Sequence, residues 1–112
     1  MNGFQLTFFT QQGQHQGHQA MDRWLIELAR SLGIGATSTA GVEGVGHNGR
    51  LHSAHFIELA DQPIEVTMVA SQEQAERLLA SVSTEVDQLF YVKVPVEFGR
   101  IGTGVAQEAP AS

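Results

Sequence analysis

The run Gly41-Val42-Glu43-Gly44-Val45-Gly46-His47-Asn48-Gly49-Arg50 concentrates more chemistry-bearing residue types than any other part of the chain. Glycine allows close backbone approach and positive φ. Successive amides around Gly44, Gly46, His47 and Asn48 can therefore form an anion-binding nest, with the Arg50 guanidinium as a bidentate donor. The same residues also read as a plain hairpin, because Asn48-Gly49 is a turn-forming pair. The run lacks the helix spacing of a dinucleotide fingerprint and the Gly-Lys-Ser/Thr ending of a P-loop.

Five histidines offer a different chemistry. His15 and His18 bracket the first loop, and His47, His52 and His55 lie around the central glycine-rich run. Imidazoles from separate segments could hold zinc, copper or nickel, and with no cysteine the set would be His15, His18 and His52 completed by Glu43, Glu58 or water. His52 and His55 are three apart, so a regular strand would point them to opposite faces. The alternative is five histidines that are solvated or packed and bind no metal. Glu43 with His47 could act as an acid/base pair, but no nucleophile or orienting group accompanies them, and Ser53 beside His52 has no nucleophile-elbow pattern. The reading is therefore a protein that is not an enzyme, with no required cofactor. Two further cations matter: Lys93 inside an apolar final strand, and Arg100 after Gly99. Each can meet a ligand at the end of a sheet, or simply lie solvated along apolar surface.

These residues need a scaffold. A chain of 112 residues suits one domain and is too short for two good cores. Hydrophobic residues make up 42%, enough for a packed core. Twelve acidic against six basic residues give a formal charge of -6 with the cations scattered, which argues against duplex nucleic acid and anionic membrane surfaces. No run approaches a membrane span, and the N-terminus lacks a signal peptide's basic flank and apolar stretch, so a cytoplasmic protein is expected.

Phe4–Thr10 has the aromatic and β-branched content of a strand, and the Gln/Gly/His stretch from Gln11 to Gly17 reads as a loop. From His18 to Leu32, Met21, Trp24, Leu25, Leu28 and Leu32 recur at helical spacing, closed by Gly33 and Gly35. Trp24 belongs to that packing stripe. Ala36–Val42 is a weaker strand. His52–Leu59 and Ile64–Val69 carry strand character on either side of Asp61-Gln62-Pro63. Ser71 with Gln74 predicts a capping box, and Ala75, Leu78, Leu79, Val82 and Val86 mark the second helix's buried stripe. Leu89–Val94 or slightly beyond is the last strand.

The order β-α-β-β-α-β predicts an α+β, ferredoxin-like split βαβ fold, a four-stranded antiparallel sheet with two helices on one face. One domain is expected over residues 3–102, with a flexible tail at 103–112. The sheet's second face needs cover, and in so small a domain subunit association can supply it. Phe8, Phe56, Met68 and Tyr91 could fall on either face.

Two short motifs, Gly41-Val42-Glu43-Gly44-Val45-Gly46 followed by Arg50-Leu51-His52-Ser53-Ala54, resemble the DUF190 group of PII-like signalling proteins over about residues 3 to 102. Val96-Glu97-Phe98-Gly99-Arg100 is more similar to PII-like proteins linked to bicarbonate metabolism. The resemblance implies a homotrimer that binds a small effector, often an adenine nucleotide, in clefts between subunits. It also implies signalling through the 43–52 loop to a protein target such as a transporter or an enzyme. It puts Gly44, Gly46, His47, Asn48 and Arg50 at the base of that loop, and Arg100 at the C-terminal arginine near the cleft. The chain departs from PII proteins proper after the second helix. Ser83-Thr84-Glu85-Val86-Asp87-Gln88 stands where they carry a glycine-rich, lysine-containing phosphate loop, which puts triphosphate binding in doubt. A trimeric metal-tolerance protein of the same architecture is the alternative that would use the histidines.

Overall fold

The computed structural model describes residues 1–41, 44–45, 51–52 and 62–102, with backbone alone for the two short internal pairs. The first strand, β1 (Asn2–Gln11), is longer at both ends than its composition predicts. The loop after it contains a small ladder of its own. β2 (His15–Gln16) pairs with β3 (Gln19–Ala20), and Gly17, at φ 64°, takes the left-handed conformation that a two-residue turn between them requires. This ladder claims Gln19 and Ala20. The first helix, α1 (Met21–Ser31), therefore starts at Met21 rather than at His18, with the Met21 amide donating to the Gln14 carbonyl at 2.8 Å.

α1 ends as its glycine predicts. Gly33, at φ 77°, donates to the Arg30 carbonyl while Ile34 donates to that of Ala29, the paired bonds of a Schellman cap. The second strand of the main sheet, β4 (Ala36–Ala40), follows, and then a two-residue ladder of β5 (Gly44–Val45) against β6 (Leu51–His52). Phe56 and all but the first residue of the strand expected over His52–Leu59 lie outside the described residues, as does the 103–112 tail.

β7 (Pro63–Ala70) leads through Ser71 into α2 (Gln72–Glu85). The capping box is present in both directions: the Gln74 amide donates to Ser71 Oγ at 3.2 Å, and the Ser71 amide donates to Gln74 Oε1 at 2.9 Å. β8 (Phe90–Glu97) closes the fold. It runs through Pro95 because it is an edge strand, where a residue without an N–H does little harm.

The main sheet is antiparallel in the order β4-β7-β1-β8, the ferredoxin-like arrangement, with both helices on one face. Pleating sorts the side chains. Leu6, Phe8, Ile64, Val66 and Met68 face the helices and are buried with Met21, Leu25 and Ala29 of α1 and Ala75, Leu78 and Val82 of α2. Trp24, Leu28, Leu32, Leu79 and Val86 pack around that core, partly buried. Tyr91 lies opposite Phe8 in the register and shares its face, their ring centroids 5.8 Å apart. The second face carries Gln5, Thr7 and Phe9 of β1, Glu65, Thr67 and Val69 of β7, and Phe90, Val92 and Val94 of β8.

Candidate functional site

The two ends of the sheet differ in what they gather. At the C-terminal end of β1 the chain enters and leaves the segment from Val42 to Asp61, and hydrogen bonds pin its base. The Gly41 amide donates to the Pro63 carbonyl at 2.8 Å, Gln62 Nε2 to the Gly41 carbonyl at 3.4 Å, and the Gln12 amide to the Gln62 carbonyl at 2.9 Å. Gln62 thus ties the base of the segment to the turn that carries the β2–β3 hairpin. The same hairpin reaches α2, because Gln16 Nε2 donates to the Glu85 carbonyl at 2.9 Å. At the opposite end the N-terminal amine donates to the Phe98 carbonyl at 2.9 Å, and the Phe98 amide donates back to the Met1 carbonyl at 2.8 Å.

The candidate residues divide between these places. Gly44 belongs to the β5–β6 ladder, which pairs Gly44 with His52 and Val45 with Leu51 and brackets residues 46–50. Gly46, His47, Asn48 and Arg50 lie outside the described residues, as does the side chain of His52. Lys93 sits midway along β8 on the helix face, exposed, with Nζ 4.2 Å from the centre of the Phe4 ring, in cation–π range. Arg100 lies beyond the far end of β8, exposed. The length of β8, roughly 25 Å at strand spacing, separates it from the end where the Val42–Asp61 segment is anchored. One chain therefore does not bring Arg100 to the base of that segment.

His15 and His18 stand on the β2–β3 hairpin. Both are exposed, and His15 Nδ1 lies 2.9 Å from the Gly13 carbonyl oxygen. Among the described residues no three or more His, Asp or Glu side chains are grouped to hold a metal ion.

Sequence reasoning missed a groove of about 420 Å³ where the last turns of α2 part from β8. Phe8 and Tyr91 form its aromatic wall. Leu79, Val82, Val86 and Leu89 line it, and Ser83 and Asp87 stand at its rim. The signal for it was present: the apolar stripe of α2 continues through Leu79 and Val86, wider than the coverage of the sheet alone requires.

This geometry can be set beside known proteins. The model of the DUF190 family, described as "Uncharacterized ACR, COG1993", matches residues 3–98. The chain belongs to the DUF190 family. No protein with a curated function matches the sequence. The DUF190 chain is similar in structure to CPII of Thiomonas intermedia, a nitrogen regulatory PII-like protein solved with ADP, AMP and bicarbonate. The TM-score is 0.66 at 17% identity, over 89% of this chain and 91% of that one. It is also similar to a Thermus thermophilus protein assigned to PII-like signalling, with a TM-score of 0.63 at 19% identity, over 86% of this chain and 88% of the other. CPII without ligand shares the fold at a TM-score of 0.53 and 15% identity, over 86% of this chain and 92% of that one. The fold of this DUF190 protein is thus PII-like. No helix among its described residues is long and apolar enough to cross a membrane.

Proposed function

We propose that the chain is a PII-like regulator that works as a homotrimer, takes a small effector of the adenine-nucleotide class in the clefts between subunits, and signals through the 43–52 loop. The observation that carries this reading is the likeness, over nine-tenths of the chain, to a PII-like protein solved with ADP, AMP and bicarbonate. Two features of the fold support it. The open sheet face presents Phe90, Val92 and Val94 of β8 between 41% and 47% exposed, an apolar strip of the kind that a second subunit covers, with Val69, 37% exposed, two strands away across Gln5. Arg100 and the base of the Val42–Asp61 segment lie at opposite ends of the sheet, so a cleft that uses both must be built by neighbouring copies.

Regulation needs reversible binding without turnover. Titration calorimetry with AMP, ADP and bicarbonate, on protein whose mass is measured by light scattering, tests the reading. The expected result is three chains per particle and saturable binding of AMP or ADP with no product formed. A monomer across a dilution series overturns the assembly, and the absence of heat with both nucleotides overturns the effector class. Sustained product formation would make the protein an enzyme instead.

A further inference from the structure

The strands described here place a single ionisable side chain on the open face of the main sheet. β1 contributes Gln5, Thr7 and Phe9 to that face, β4 contributes Thr37 and Thr39, and the β8 side chains there are all apolar. Glu65 of β7 stands among them, exposed, directly opposite Phe9 on one side and Thr39 on the other.

Among the described residues no cation faces it. Arg23 and Arg30 belong to α1 and Arg77 to α2, which cover the other face, and Lys93 points to that other face as well. Arg100 lies past the end of β8 that pairs with Asn2, whereas Glu65 pairs near the opposite end of β1. His15 and His18 stand on the hairpin that bonds to α2.

In one chain water reaches this carboxylate, and its charge costs little. Assembly changes its surroundings. Three chains around one axis cover all three open faces only by turning them inward, and the middle of each sheet then lies nearest the axis. The middle strands are β7 and β1. Sheets packed face to face stand about 10 Å apart. Three copies of Glu65 then share a small, poorly hydrated interior lined by threonine and phenylalanine. Each charged carboxylate loses hydration there and meets two like charges, and protonation relieves both penalties.

We infer that Glu65 links assembly to pH: the trimer tightens as pH falls and these carboxylates take up protons, and loosens as pH rises. The sign follows from linkage, since lowering the pH favours whichever state binds more protons. The inference rests on the homotrimer proposed above, and its test separates the two. Sedimentation over a dilution series gives the chain concentration at which half the trimer dissociates. Wild type, Glu65→Gln and Glu73→Gln are compared at about pH 8 and about pH 5.5, with a fixed sub-denaturing urea concentration wherever the wild type stays trimeric at nanomolar chain. Glu73→Gln removes the same formal charge from the exposed first turn of α2. All three proteins keep the five histidines, so histidine titration cancels in the comparison. Glu65→Thr, which suits a strand, replaces Glu65→Gln if that variant does not fold.

The expected result is that Glu65→Gln half-dissociates at a concentration at least tenfold below the wild type at the higher pH. At the lower pH the two should agree within threefold, because a protonated glutamate and a glutamine are alike in charge and shape. Glu73→Gln should stay within threefold of the wild type at both. Equal strength of wild type and Glu65→Gln at the higher pH, or a difference that persists unchanged at the lower one, overturns the inference while the trimer stands. A weaker trimer in Glu65→Gln also overturns it, since Glu65 would then be paired with a cation of a neighbouring copy. Tightening by Glu73→Gln as large as that by Glu65→Gln would assign the effect to net charge and overturn it too. Monomers of all three proteins at both pH values overturn the homotrimer itself.

Discussion

The two faces of the sheet are built from alternate residues of the same strands, yet they obey different rules. On β1, Leu6 and Phe8 point to the helices and are fully buried, whereas Gln5, Thr7 and Phe9 between them point to the open face and stay partly exposed. On β7, Ile64, Val66 and Met68 are buried and Glu65, Thr67 and Val69 are not. The helix face is an interior completed within one chain. The open face mixes a polar centre, where Thr7 and Thr67 hydroxyls lie 3.4 Å apart, with an apolar flank on β8, where the Phe9 and Phe90 rings are 5.6 Å apart. If the proposed trimer forms through the open face, folding and assembly are written into alternate positions of the same strands, and mutations one residue apart should act on different properties.

The largest effect is expected on the helix face. Phe8→Ala should cost about 3–5 kcal/mol of unfolding free energy in urea denaturation, from lost burial plus the cavity left behind. A loss below 1 kcal/mol would mean that the helix face is not the core it looks to be. On the open face, Val92→Glu combined with Val94→Glu should lower the particle mass towards one chain while the far-ultraviolet circular dichroism keeps its shape, because the charges face outward from an intact core. An unchanged mass would remove the open face from the assembly.

Gly3 lies at the seam between β1 and its two neighbours. A Cβ there would come within 2.2 Å of the Ala70 carbonyl oxygen and 2.8 Å of the Phe98 ring, so Gly3→Ala should cost about 1–3 kcal/mol by thermal or chemical denaturation. Full stability in that variant would show that the close approach of β1 to β7 and Phe98 relaxes freely. The smallest effect is expected at Ser71→Ala, about 1 kcal/mol from loss of the α2 cap, with no change of mass. A change of mass there would break the division between folding and assembly.

Local features were the most legible ones. The α2 capping box, the glycine end of α1 and both helical stripes depend on residues within a few positions of one another, and the pattern alone identifies them. Features set by distant pairing were not. β8 runs past Val94 through Pro95 to Glu97 because it is an edge strand, which is a property of sheet order rather than of its own residues. The start of α1 shifted because Gln19 and Ala20 join a ladder with His15 and Gln16. Phe8, Met68 and Tyr91 could be placed on a face only through the register that pairs them. Only the apolar stripe of α2 hinted at the groove, since β1, α2, β8 and the α2–β8 connection must meet to form it. Lys93 and Arg100 are close in sequence, but the structure puts one in the middle of the edge strand and the other beyond its end.

Hydrogen–deuterium exchange of the full chain with and without millimolar ADP tests the central claim, an effector-binding regulator, most directly. The account predicts slowed exchange at residues 43–52, while α1 from Met21 to Ser31 exchanges as before. Identical exchange throughout the chain in both conditions would contradict it.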